Sequence, residues 1–230
     1  LSTPRVGRKA RARRNGERGD AEDTKTRILA AAAKHFGLYG YNGASLRGIV
    51  AEAGANVAAG NYHFGSKANL LVATIDHYIV RTHERRFLLL DEANALPLTK
   101  PRLRGLIAAY LRPHFEITIG EGNVDYARLV MRVVSEESPT LQTEIDRALL
   151  PVRQRFRDSL RACCPDADNA LISRAVSLVV AVLAMGPFTI DHKSLAIGKL
   201  RRAPLEQVLD EATRFAFGGV VELLGVGDRT

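Results

Sequence analysis

Residues 45–67 read SLRGIVAEAGANVAAGNYHFGSK. Two short apolar patterns flank Gly54, followed by an Asn-Tyr-His-Phe cluster and then Gly-Ser-Lys. Ser45 can cap a helix whose inner face carries Leu46, Ile49, Val50 and Ala53, and Gly54 breaks it after about eight residues. Asn56 can cap a second helix over 57–63, with Val57 and Phe64 turned to the core. Helices this short do not persist alone in water. They need neighbours to hold them, and the second then offers Ala58, Ala59, Asn61, Tyr62 and His63 to a partner. Two short helices joined by a glycine-containing turn, behind a packing helix, make a helix-turn-helix.

The flanks supply the rest. Asp23 or Thr24 caps a helix over 24–38, where Ile28, Ala32 and Phe36 recur every four residues beside Leu29 and Ala33. Gly37 and Gly40 are expected to end it. Ser66 caps a long helix through Leu70, Leu71, Ile75, Tyr78 and Ile79 toward Ala95, without Gly or Pro. Pro97 and Pro101 bracket a break. Further helices are expected near 102–119, 123–137, 140–163, 167–186 and 204–223, with Pro113 and Pro151 kinking two of them. Strand alternation is nowhere sustained, no internal repeat is found, and 188–203 reads as an exposed loop. The fold class is therefore all-α: an N-terminal three-helix DNA-binding domain, then a larger helical bundle. The expected divisions are a basic arm without regular structure over 1–22, a helix-turn-helix domain over 23–67, and a helical domain over 68–230.

Charge points to the partner. The formal net charge is +8 over 230 residues, which suits a polyanion. It is concentrated at one end: Arg5, Arg8, Lys9, Arg11, Arg13 and Arg14 give residues 1–14 a charge of +6 with no acid. Such a tail is either a solubilising terminus or an arm for the nucleic-acid backbone. Between Asp23 and Lys67 five basic residues (Lys25, Arg27, Lys34, Arg47, Lys67) face two acids. Cys163 and Cys164 are adjacent and poorly placed to pair, and no disulfide framework or zinc spacing is present, as expected of a reducing cytoplasm. No apolar leader is readable in the first 25 residues, and the most apolar run, 175–188, is too short to span a bilayer.

Side-chain chemistry gives each exposed residue a task. Small Ala58 and Ala59 let the helix approach base edges and can touch a thymine methyl, while Asn61 can read an adenine edge. Tyr62 and His63 suit phosphate oxygens. Lys67 sits at the start of the helix capped by Ser66, where unpaired N–H groups and positive potential favour a phosphate. Arg47 can reach the groove or the backbone.

The run TRILAAAAKHFGLYGYNGASLRGIVAEAGANVAAGNYHFGSKANLL resembles the N-terminal domain of the TetR family of bacterial transcriptional regulators. The shared pattern is a first helix ending in Phe-Gly, a Ser at the second helix start, an Ala-Gly turn, an aromatic-His-Phe cluster, and Ser-Lys-x-x-Leu-Leu. It covers about a fifth of the chain. The resemblance implies a homodimer, paired through helices near 167–186 and 204–223, that binds a near-palindromic duplex operator. It further implies release by a small-molecule effector, so a repressor is expected. By position it assigns DNA contacts to Ser45, Arg47, Ala59, Asn61, Tyr62, His63 and Lys67, beside Asn56 and Ala58 from the helix reading. Three positions depart from the pattern. Asn61 stands where an aromatic is frequent. Gly60 replaces a larger inward residue, so a loosely held recognition helix is expected. Ala68 replaces a frequent Glu.

The C-terminal part carries no comparable signature. Tyr110, His114, Phe115, Arg128, Met131 and Arg132 lie on adjacent expected helices and are the candidates for an effector pocket. A helical enzyme is the first competing class. It is disfavoured because no phosphate loop, dinucleotide fingerprint, HExxH, GxSxG or CxxC is present. His77 and His83 are not at metal-pair spacing, and no metal or cofactor is expected. A sequence-tolerant DNA-packaging protein is the second competitor, driven by the basic tail alone.

Overall fold

A computed structural model describes residues 6–98, 100–191, 193 and 196–226, with side chains from Glu22 onward except those of Pro139, Thr140 and Asp191. The chain divides into two compact units, residues 1–74 and 75–230.

The first unit holds α1 (Val6–Gly43), α2 (Leu46–Glu52), α3 (Val57–Phe64) and most of α4 (Lys67–Ile75). Ile28, Leu29, Ala32, Ala33 and Phe36 of α1 are buried as their spacing requires, together with Ile49, Val50, Phe64, Leu70 and Leu71. Two boundaries of α1 differ from expectation. The helix begins at Val6, so residues 6–22 are helical where an irregular arm was expected. Residues 8–14 are Arg, Lys and Ala alone, all good helix formers, and charge does not prevent a helix. The basic side chains themselves, and residues 1–5, lie outside the described residues. At the other end Gly37 is carried through, and the break falls on Gly40, whose φ of 67° and ψ of 178° bend the chain before a last turn to Gly43.

Three contacts tie α2 to α1. Arg27 donates to the carbonyl of Ala53 at 3.1 Å. Glu52 accepts from Lys34 at 2.5 Å and meets His35 Nε2 at 2.6 Å. These neighbours hold the Glu52 carboxyl below its ordinary range, with the Lys34 bond the larger cause.

The second unit holds α5 (Thr82–Asn94), α6 (Lys100–Phe115), α7 (Val124–Val134), α8 (Pro139–Cys163), α9 (Asn169–Met185) and α10 (Leu205–Leu224). Helix α6 is its axis, packed by α5, α8, α9 and α10. It buries Leu103, Leu106, Ile107, Tyr110, Leu111 and Phe115. Helix α8 turns one stripe inward (Leu141, Ile145, Leu149, Val152, Phe156, Leu160), and Phe156 stacks on Tyr110 at 4.3 Å between ring centres. Arg112 grips Glu206 of α10 through both terminal nitrogens, at 2.7 and 2.9 Å.

The long helix expected from Ser66 is helical from Lys67 to Asn94 but not uniformly α. A π-helical turn occupies Asp76–Val80, and a second one, Glu116–Gly120, begins three residues after Pro113. Such turns insert a residue and re-aim the side chains that follow. The loop expected over 188–203 contains a two-stranded antiparallel hairpin, β1 (Phe188–Asp191) and β2 (Ala196–Leu200), with Ile190 opposite Ile197. Its apolar positions are too few to register as alternation in the sequence. Among the described residues no helix is long and apolar enough to cross a membrane.

The Glu52 contacts give a testable sign. A carboxylate with a depressed folded pKa stabilises above its unfolded pKa, and loses that contribution as pH falls through the folded value. Glu52→Gln should therefore lower the melting temperature at pH 7. The difference from the parent should begin to shrink as pH falls below about 4.3, the ordinary Glu value, and vanish at lower pH. Thermal unfolding followed by circular dichroism across pH 3–8 checks it.

Candidate nucleic-acid interface

Each short helix is capped by a side chain. Ser45 Oγ accepts from the Gly48 amide at 3.0 Å, and Asn56 Oδ1 accepts from the Ala59 amide at 2.8 Å. Between them the chain reverses at Gly54, whose φ of +63° is left-handed. Gly65, at φ +72°, ends α3. Ser66 Oγ then accepts from the Asn69 amide at 3.1 Å and starts α4.

Among the glycines described in this unit, the closest fit is where α3 crosses α2. Gly60 is buried, and a Cβ added there would come 2.6 Å from Cγ1 of Val50 and 3.4 Å from Cδ1 of Leu46. Val50 is sealed in the core and cannot swing away. The glycine that promised a loose helix instead marks the point of closest approach, and the missing side chain is what lets α3 seat on α2. Phe64, one turn on, is buried behind it. Val57 corrects the reading of the inner face: it is 41% exposed, because the inward positions of this eight-residue helix are Gly60 and Phe64.

The outward surface contains most of the residues assigned to DNA. Ala58, Asn61 and Tyr62 are exposed, Tyr62 at 84%, while Ala59 and His63 are half-buried. Tyr62 and His63 rings meet edge to face at 5.2 Å. Arg47, Ser45 and Asn56 are exposed beside them on α2 and the turn. Lys67 is placed differently from expectation. Its ammonium donates to the carbonyls of Tyr41 at 2.9 Å and Ala44 at 3.0 Å, and lies 4.3 Å from the centre of the Tyr41 ring. Two of its three protons are thus committed to the segment leading into α2. Its charge remains beside the helix start, but its geometry is that of a clamp on the domain.

The N-terminal residues 28–74 match the family described as bacterial regulatory proteins, tetR family. Residues 108–219 match the tetracyclin repressor-like C-terminal domain. The chain belongs to the TetR family. It is accordingly a DNA-binding transcriptional regulator. It is similar to the HTH-type transcriptional dual regulator CecR of Shigella flexneri, with 28% identity over 172 residues that cover 71% of this chain and 75% of that protein. Its fold is that of the fatty acid degradation regulator FadR from Bacillus halodurans. That match has a TM-score of 0.62 at 15% identity, covering 85% of this chain and 95% of the other. It is also that of AibR, solved in complex with isovaleryl coenzyme A and operator DNA. There the TM-score is 0.60 at 16% identity, covering 84% and 98%.

In the second unit of this TetR chain the six residues proposed for an effector pocket are not gathered together. His114 and Phe115 are sealed in the core, Arg128 sits 3.5 Å from Asp125 in an ion pair, Met131 is half-buried and Arg132 is exposed. Tyr110 lines a cavity, in the company of Ile79, His83, Arg86, Tyr126 and several valines and leucines. Arg86 and His83 were missed from sequence. Their signal is spacing: Ile79, His83, Arg86 and Leu90 fall on one buried helical stripe, so two polar residues stand where apolar ones are expected.

Two measurements test the interface. Gly60→Ala should overpack the crossing at about 1–3 kcal/mol, offset by up to about 1 kcal/mol of helix propensity. A lower melting temperature and weaker operator binding are expected, and adding Val50→Ala should recover part of the binding. Asn61→Ala should cost about 1–3 kcal/mol on the operator and little on random duplex. Lys67→Ala should weaken both alike and also lower thermal stability, because it removes the clamp as well as a charge. Duplex titration beside thermal melts separates the two.

Proposed function

We propose that this TetR regulator is a repressor, and that it binds a near-palindromic operator as a homodimer and leaves it when a small molecule occupies the second unit. The observation that carries the DNA half is a recognition helix seated on α2 through Gly60, with Ala58, Asn61 and Tyr62 turned outward. In this reading Asn61 reads a base edge and Ala58 and Ala59 allow close approach. Tyr62, His63, Ser45, Arg47 and Asn56 hold phosphates, and Lys67 sets the frame. A sequence-tolerant packaging protein would not need that surface. Competition with unrelated duplex distinguishes the two, since a regulator keeps a preference of about 10³-fold or more at physiological salt.

Dimerisation through α9 and α10 is supported by an apolar groove of about 840 Å³ along them, lined by Leu178, Val182, Met185, Phe215, Gly218 and Gly219. Phe215 is 77% exposed, an unusual state for so large an apolar side chain. The two glycines have nothing within 4 Å of an added Cβ, so a partner helix can approach closely. Two recognition helices on one rigid dimer then meet major grooves one turn apart, about 34 Å. We place the protein in the bacterial cytoplasm, bound to the nucleoid through its operator, and assign it no catalysis.

Ligand response is supported by the fold shared with AibR, whose structure carries isovaleryl coenzyme A and operator DNA. The connection between units supports it too. The chain passes from the first unit to the second within α4, and the π-helical turn follows at once. A ligand that displaces this run acts on the helix that starts at Lys67. Coupling of about 1–3 kcal/mol, or 5- to 150-fold, is the expected size. Reciprocity is the strict test. Titrate the effector with and without operator duplex, and the DNA must weaken effector binding by the same factor. Equal affinities in both titrations would leave the protein regulated by its abundance or by a partner.

A further inference from the structure

Among the described residues, the second unit buries a cation with no counter-charge placed on it. Arg86 is 4% exposed. Its Nε donates to the Tyr110 carbonyl at 2.8 Å and one Nη to Thr82 Oγ1 at 3.2 Å. Its guanidinium lies 5.2 Å from the Tyr110 ring centre. A guanidinium has five N–H donors, and among the described residues no further acceptor is placed on it. None of the residues lining the adjoining cavity is acidic. The other cation there, Arg153, already has Asp146 at 2.8 Å. An ionised side chain held in so apolar a place carries a penalty of several kcal/mol unless paired.

The rest of the cavity completes a pattern. His83 is 5% exposed and its Nε2 has no hydrogen-bond partner. Burial first, and then the Arg86 charge, push His83 down to about 4, so it is neutral at physiological pH. Burial pushes the Tyr126 phenol up to about 12, leaving its hydroxyl protonated. Arg86 is therefore a permanent positive charge beside neutral His83 and Tyr126. Around them stand Ile79, Val130, Val133, Val134, Leu149 and Leu183. Val134 is 37% exposed and marks the side open to solvent.

We infer that this cavity is an anion site, and that the effector is a small carboxylate with a short apolar body whose carboxylate pairs with Arg86 and whose body lies against the valine and leucine wall. The inference rests on the ligand-responsive reading above. An open Arg fork matches a carboxylate in shape and charge, and the pair is strengthened by the low local polarity. The cavity is about 40 Å³, enough for the head group alone. Entry of the apolar body must part its walls, and Ile79, His83 and Arg86 belong to the helical run that continues into α4.

The test uses the full chain and three matched probes: hexanoate, its neutral amide, and hexanoyl-coenzyme A. Calorimetry and thermal shift read binding, and an operator duplex selected from a random library reads release. Hexanoate is expected to bind at least tenfold more tightly than hexanamide. Arg86→Met should abolish that preference while Arg86→Lys keeps part of it. Tighter binding of the thioester than of the acid, or equal binding of acid and amide, would overturn the anion site. So would no binding of hexanoate at millimolar concentration. The acid–amide comparison is made on the parent protein, so it stands even if Arg86→Met fails to fold. Hexanoate that binds through Arg86 yet leaves DNA affinity unchanged would uphold the anion site and defeat the ligand-responsive reading. Amide that releases DNA as well as the acid does would uphold that reading and defeat the anion site.

Discussion

An eight-residue helix cannot hold its own shape in water, so the place of α3 in the domain comes from what it touches. The decisive contact is the crossing at Gly60, where only the absence of a side chain allows α3 to sit on Val50 and Leu46. From that contact the other features follow. Phe64 is carried into the core one turn later, and Asn61 and Tyr62 are turned outward. The tie of α2 to α1 through Arg27 and Glu52 then fixes the pair against the rest of the unit. The few exposed residues proposed to read DNA are thus positioned by a domain of about seventy.

How much of this the sequence disclosed depended on the range of the interaction. Caps are local, so Ser45, Asn56 and Ser66 were legible and the three helix starts they set are where the side chains place them. Periodicity is nearly as local, and the α1 and α8 stripes follow it. Gly60 was legible as an anomaly but with the wrong sign. Propensity says glycine loosens a helix, and only the distance to Val50 shows that it tightens the packing. Val57 was misplaced because a two-turn helix has too few positions to define a face by pattern. Lys67 was read from its place at a helix start, yet its ammonium is claimed by carbonyls more than twenty positions away, which spacing cannot report.

The second unit was less legible for a different reason. Helix lengths and breaks followed from Pro, Gly and apolar runs, but a ligand cavity is made by residues that converge from several helices. The pocket candidates were chosen as polar and aromatic residues on adjacent helices, and burial sorted them otherwise. His114, one of them, is enclosed with both ring nitrogens unpartnered, and burial pushes it down to about 3. It is a buried, neutral ring. The polar residues with unmet bonding capacity beside a space are Arg86 and His83, and they belong to the long helix from Ser66, which supplied none of the pocket candidates.

That placement joins the two halves of the molecule in one chain of reasoning. A regulator needs its ligand to act on something that also bears on the DNA-reading domain, and a bundle offers few such elements. Here the helical run from Lys67 to Asn94 starts in the first unit, where Lys67 clamps the entry to α2, and contributes Ile79, His83 and Arg86 to the cavity. It is not a uniform rod. The π-helical turn at Asp76–Val80 lies between the clamp and the cavity residues His83 and Arg86. A π turn is less favourable than the α-helix on either side, so its persistence requires tertiary contacts to hold it. Contacts from the cavity side are the ones a ligand would alter. The buried, unpaired charge of Arg86 gives the same run a reason to settle differently once an anion arrives, because the penalty of holding that charge alone is then removed.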